Sequence, residues 1–401
     1  MLAYIFGVAL FALGICVSVA LHEAGHMLTA KAFGMKVRRY FIGFGPNIFS
    51  FRRGETEYGL KWIPLGGFCD IAGMTALDEV TPDEAPRAMW RFKTWKRTVV
   101  LAAGSVTHFV LGFVVLYAMA ATMGLPNLNG TPVLSSISDC VRDGTTVQEV
   151  NNPVCRAGDA APARQAGLQA GDKVVSVGGK PTASWSDVVA AVQAASGPTV
   201  VQVERDGRTL ALTIDVPRVI RPNNSGEGTQ QVGAIGVAPT KTFTYNPVTA
   251  FGGAAGYTAD MFVGAWQRLL EFPQRIPAVV HAIFGGERDP NTPVSVIGAS
   301  RIGGEAVENG LWQLFLILLA SLNFFVGVFN LLPLLPLDGG HIAVTWYERV
   351  RDWVRKLRGK TAGGPVDYTK LSAITMVLVF IGGAVTLLTV TADIVNPVRL
   401  Q

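Results

Sequence analysis

Four long apolar stretches limit what this chain can fold into before any motif is read. A helix needs about 20 apolar residues to cross the hydrocarbon of a bilayer. Residues 1–31, 97–123, 311–341 (apolar as far as Leu337) and 371–395 each supply them. Lipid offers no partner to a free N–H or C=O, so these stretches are expected to be helices. The composition agrees: 49% hydrophobic, only 16% charged, mean hydropathy +0.35. The expected fold is a mainly α-helical polytopic membrane protein with four transmembrane helices.

The charged residues indicate an orientation. Basic residues crowd the loops at 32–96, from Lys36 to Lys96, and at 342–370, from Arg349 to Lys360. Such loops stay cytosolic, which places both termini and the middle of the chain outside the plasma membrane. The net charge of +5 is thereby assigned to membrane-flanking loops and not to a nucleic-acid surface. The N-terminus lacks the basic start of a signal peptide. Cys140 and Cys155 fall in the outer segment, close enough to close one loop worth about 3 kcal/mol; two separate thiols are the alternative.

An ionisable cluster inside the first apolar stretch points to function. His22-Glu23-Ala24-Gly25-His26 is His-Glu-x-x-His. On a helix, positions i and i+4 share a face, so His22 and His26 can offer two imidazoles to one metal, with Glu23 beside them as a base for water. Hydrolytic zinc sites usually take a third protein ligand. The third stretch closes with Leu332-Pro333-Leu334-Leu335-Pro336-Leu337-Asp338-Gly339-Gly340-His341. Its prolines disrupt regular helix, its glycines permit a sharp turn, and Asp338 is the carboxylate presented there. Both stretches run from outside to inside, so both halves of the site reach the same depth near the cytosolic side. His341 is assigned a supporting or interfacial role.

Residues 32–96 read as more than a connection. Three short strands, 38–44, 47–51 and 57–63, are punctuated by Gly43, Gly45-Pro46 and Arg53-Gly54. They form a membrane-associated β element, either purely structural or with an edge able to pair with an extended peptide. Trp90, Phe92 and Trp95 alternate with basic residues as an interfacial anchor. Residues 129–216, with Ala166-Gly167-Leu168-Gln169-Ala170-Gly171-Asp172-Lys173-Val174, resemble a bacterial PDZ domain of α+β type, which implies a peptide ligand or a size filter. Residues 217–310 are expected to be an extracytoplasmic linker or insertion (218–231) followed by amphipathic helices on the outer membrane surface (247–284). No internal repeat is found.

Taken together, HEAGH in the first stretch, LPLDGGH closing the third, Gly43-Phe44-Gly45 with Ile63-Pro64-Leu65-Gly66-Gly67-Phe68, and one PDZ-like domain resemble the site-2 protease family of intramembrane zinc metalloproteases. The likeness covers nearly the whole chain and is greatest to the actinobacterial members that regulate sigma factors. It implies one zinc ion held by His22, His26 and Asp338, with Glu23 as general base. It also implies that Asn330 contacts substrate and that Gly66 and Gly67 lie in the strand holding the unwound substrate. The implied substrates are single-pass transmembrane anti-sigma factors already shortened outside. The family's Gly-Pro-x-x-Asn in the second span reads Gly104-Ser105-Val106-Thr107-His108 here, so His108 either hydrogen-bonds near the site or packs as a buried histidine. Pro336 stands one position late. Asn323, two turns before Asn330, can face the same cavity or bond between helices. Membrane lipid is a further expected partner. A metal transporter and a catalytically silent PDZ-bearing scaffold are the rival readings; Glu23 argues against both.

Overall fold

A proline-free apolar run carries helix α1 (Leu2–Ala32) without interruption. Its buried residues Gly7, Phe11, Ser18, His22, His26 and Ala30 fall on one stripe at helical spacing. The two histidines therefore continue the face that packs on protein. Ser18 satisfies its hydroxyl on the Gly14 carbonyl, 2.9 Å away. The computed structural model describes residues 1–401 except 76, 152, 224–227, 365 and 401. The chain forms two compact units, Met1–Met123 with Asn246–Gln401, and Gly124–Tyr245.

After α1, strands β1 (Val37–Arg53) and β2 (Thr56–Ile71) make one antiparallel ribbon, in place of three short strands. Gly43 and Gly45, at φ 89° and 81°, sit where the register shifts. They bend the ribbon as bulges and do not end a strand. Its base is set by Met35, Val37 and Ile71 against Met27, Met89 and Val100. Arg38 grips Glu84 through Nε–Oε1 at 2.9 Å and Nη2–Oε2 at 2.6 Å, and Asp78 at 2.9 Å. Helix α2 (Thr94–Thr122) follows. It meets α1 where Gly25 lies too close to Ala103 O for any side chain, 2.7 Å from a would-be Cβ.

The second unit contains β3 (Leu125–Pro126), β4 (Leu134–Ile137), α3 (Val147–Asn151), α4 (Pro162–Gln165), β5 (Lys173–Val177), β6 (Lys180–Pro181), α5 (Trp185–Ala194), β7 (Gly197–Arg205), β8 (Arg208–Val216), β9 (Arg218–Pro222), β10 (Thr229–Gly233), β11 (Val237–Pro239) and β12 (Thr242–Phe243). Its main sheet is antiparallel in the order β6-β5-β7-β8 among the described residues. Asp206 at φ 51° and Gly207 at φ 74° make the β7–β8 turn. Val174, Val177, Val201, Val203 and Ile214 face Val188 and Val192 of α5, which a Ser184–Asp187 capping box begins. Cys140 and Cys155 are joined as a disulfide. The unit reaches beyond 129–216 at both ends because β11 pairs with β4 and β12 with β3. The polar stretch read as a linker or insertion pairs β9 against β10 in an antiparallel ladder; residues 224–227 lie outside the described residues. Val219 and Val232, both buried, hold it down.

Helix α6 (Pro247–Ile283) is one long helix that packs against α2. Its Phe251 and Phe262 rings meet Phe113 at 5.3 Å and Phe109 at 4.5 Å. Helix α7 (Val296–Glu308) lies on α1, where Gly303 and Gly304 face Phe11, Tyr4 and Val8. Helix α8 (Trp312–Asn330) is separated by seven residues, 331–337, from Asp338, which opens helix α9 (Asp338–Leu357). Helix α10 (Tyr368–Val395) closes the chain. Among the described residues, four helical stretches are long and apolar enough to cross a membrane: Leu2–Ala32, Thr94–Thr122, Trp312–Asn330 and Leu371–Val395.

Candidate metal centre

Two chain segments bring three ligand-bearing side chains together. Helix α1 supplies His22 and His26, one turn apart. The break after α8 returns the chain so that Asp338 starts α9 beside them. Gly339 and Gly340 are not the turn itself; they lie in the first turn of α9. A Cβ on Gly339 would stand 2.2 Å from Leu331 O, and one on Gly340 2.6 Å from the Leu334 carbonyl carbon. Their missing side chains let segment 331–337 fold over the start of the helix.

The resulting distances are short and mutual. His22 Nε2 and His26 Nε2 are 3.2 Å apart. Asp338 Oδ2 is 3.4 Å from each. A tetrahedral site with metal–donor bonds of about 2.0–2.2 Å has donors about 3.3–3.6 Å apart. The Val100 carbonyl accepts from His26 Nδ1 at 2.7 Å. A carbonyl cannot donate, so that nitrogen carries the proton and Nε2 presents a lone pair. Asp338 Oδ2 is buried and has no hydrogen-bond partner, as does His22 Nδ1. Acceptors packed this tightly call for a cation, and the donor set of two imidazoles and a carboxylate fits zinc.

Gly104 of α2 makes the space. A Cβ there would lie 2.5 Å from both His22 Cε1 and His26 Nε2. The family resemblance drew attention to His108 in the same segment, but not to this contact; the signal was a run of small residues, Ala102-Ala103-Gly104-Ser105, where α2 crosses α1. His108 Nδ1 bonds Asn323 Oδ1 at 2.8 Å, while Asn323 Nδ2 donates to Leu319 O at 2.8 Å. The amide orientation makes His108 Nδ1 the donor. Its ring centre is 5.0 Å from that of His22. The structure thus couples His108 to Asn323 across α2 and α8, next to the centre.

Glu23 is half-buried and lies beside β2, where a Cβ on Gly67 would come 3.1 Å from its Cγ. Tyr40 anchors the ribbon by donating to Ala20 O at 2.7 Å. Burial, aided by the Glu23 charge, pushes the Cys69 thiol up, which keeps it protonated. Gly66 faces the Phe44 ring and not the centre. Asn330 is half-buried at the end of α8, and His341 bonds the Tyr368 hydroxyl at 3.4 Å; neither belongs to the ligand cluster found among the described residues.

The chain is similar to known proteins over most of its length. Residues 10–374 match the model of Peptidase family M50. Zinc metalloprotease Rip1 of Mycolicibacterium smegmatis is 48% identical over 98% of each chain. Zinc metalloprotease Rip1 of Mycobacterium tuberculosis is 47% identical over 99% of each. Metalloprotease MmpA of Caulobacter vibrioides is 29% identical over 85% of each.

Proposed function

The chain belongs to peptidase family M50 and is a zinc metalloprotease; from that premise we propose that it cuts single-pass membrane proteins inside the bilayer, at a centre formed by His22, His26, Asp338 and Glu23. The observation that carries this is the convergence of two imidazoles and a carboxylate within 3.4 Å, beside the half-buried Glu23.

When bound, zinc supplies Lewis-acid activation of water and of the scissile carbonyl. His26 is held in one tautomer by Val100 O, which keeps its lone pair aimed at the cation. Glu23 takes the proton of the attacking water and returns it to the departing amine. Helical amides are shielded by their own hydrogen bonds, so a substrate helix must open first. Strand β2 passes beside Glu23 at Gly67, and its backbone at Gly66 and Gly67 offers partners to the opened segment. His108 and Asn323 border the same space and are assigned to substrate positioning, as is Asn330.

The substrates in this reading are anti-sigma factors shortened outside by another protease, and their cleavage passes a signal to the cytosol. The 124–245 unit acts as an extracytoplasmic PDZ-like domain, binding a peptide end or excluding bulky ectodomains. Both termini lie outside and the metal centre near the cytosolic face. The test is a comparison of membrane proteins and their fragments in cells carrying wild-type or Glu23→Ala enzyme. The variant is expected to retain zinc and to accumulate uncut substrate. Normal cleavage by Glu23→Ala would refute the mechanism.

A further inference from the structure

Helix α9 carries surface chemistry that the proteolytic reading leaves unused. Trp346, Val350, Trp353 and Leu357 recur at intervals of four, three and four residues, so they form one stripe. All face outward: Val350 is 54% exposed, Trp353 58% and Leu357 68%, and Tyr347 beside them is exposed too. Arg349 and Lys356, seven residues apart, run along one flank of that stripe, and Arg358 and Lys360 follow its end. All four are exposed, and none makes an ion pair among the described residues.

The opposite face is occupied by protein. Glu348 accepts from Arg97 at 2.9 Å and from Val366 N at 2.8 Å. Asp352 accepts from Arg351 at 3.0 Å and from Gly363 N at 3.0 Å. The acidic groups are thus turned inward, and what remains outside is apolar and positive. Glu348 also fixes the level of the helix. Arg97 lies in the first turn of α2, beside exposed Trp95, and Val366 stands two residues before α10. The middle of α9 therefore lies where two membrane-crossing helices begin.

We propose that α9 is a lipid-docking helix, seated through Trp346, Val350, Trp353 and Leu357 on an anionic phospholipid surface that Arg349, Lys356, Arg358 and Lys360 select. An apolar stripe with indoles and flanking cations is what an interfacial helix needs, and each cation near an anionic leaflet adds to its hold. The inference rests on the reading of α2 and α10 as spans. Because α9 begins at Asp338, the lipid seat also holds the segment that carries this carboxylate.

The test uses full-length Glu23→Ala chain as host, so its outcome does not depend on proteolysis. Cys16 and Cys69 are replaced by Ser, and a spin label is placed at Val350→Cys, or separately at Leu357→Cys. The chains are reconstituted in phosphatidylcholine, alone or mixed with phosphatidylglycerol. Dissolved oxygen is expected to relax both labels strongly and a water-soluble nickel chelate weakly, with the contrast greater in the anionic vesicles. Arg349→Glu with Lys356→Glu is expected to abolish that lipid dependence. Labels open to nickel in both lipids would overturn the proposal. So would dipolar broadening that disappears on dilution with unlabelled chain, which would mark a second copy as the occupant. Equal immersion in both lipids would overturn the selection of anionic headgroups.

Discussion

The absence of a side chain at Gly104 does as much for the centre as the ligands themselves. A methyl group there must displace one of two imidazoles whose near atoms stand 2.5 Å away. Such overpacking costs about 1–3 kcal/mol. Gly104→Ala is expected to lower the zinc retained per purified chain, measured by elemental analysis, and to lower cleavage with it. Gly382, with nothing within 4 Å of a would-be Cβ, is the control: Gly382→Ala should leave zinc content unchanged. Asp338→Asn tests the charge at nearly constant shape. With the carboxylate gone, zinc retention should fall while helix content by circular dichroism is preserved.

Elements are held to one another by a few ion pairs whose partners are largely shielded from solvent. Arg97 and Glu348, with side chains 11% and 13% exposed, join α2 to α9. Removing one partner of such a pair costs about 3–5 kcal/mol, whereas replacing both with apolar residues is close to neutral. Glu348→Gln should therefore lower the detergent melting midpoint clearly, and Arg97→Met with Glu348→Leu should recover most of the loss. The ribbon base responds to acid. The Arg38 guanidinium beside Glu84 holds its carboxyl down at about 2, against about 4.3 in an unfolded chain. Its contribution is complete above the unfolded value and is lost as pH falls through about 2. The difference in melting midpoint between wild type and Glu84→Gln should hold steady down to about pH 5 and close below it. The elements differ in how far the sequence alone revealed them. His22, Glu23 and His26 were legible because helical spacing is local, and Asp338 because two prolines mark the break that presents it. The full length of the β1–β2 ribbon, the β9–β10 ladder and the packing of α6 on α2 were not, since each depends on a partner outside the stretch being read. Gly43 and Gly45 read as strand ends and proved to be bends; Gly104 gave no sign of contact with His22 until α2 was set against α1.

For the whole molecule, the two compact units respond to different treatments. The Cys140–Cys155 link closes a loop in the 124–245 unit and is worth about 3 kcal/mol on a chain-entropy account. Mild reduction should lower the melting transition of that unit and spare the helical one, which scanning calorimetry with and without reductant would separate. The zinc centre draws on both ends of the other unit. Its imidazoles emerge early in synthesis and its carboxylate only after the third apolar helix has followed. A half-made chain therefore carries only two of the three candidate ligands, so the proposed centre can be completed only late in synthesis.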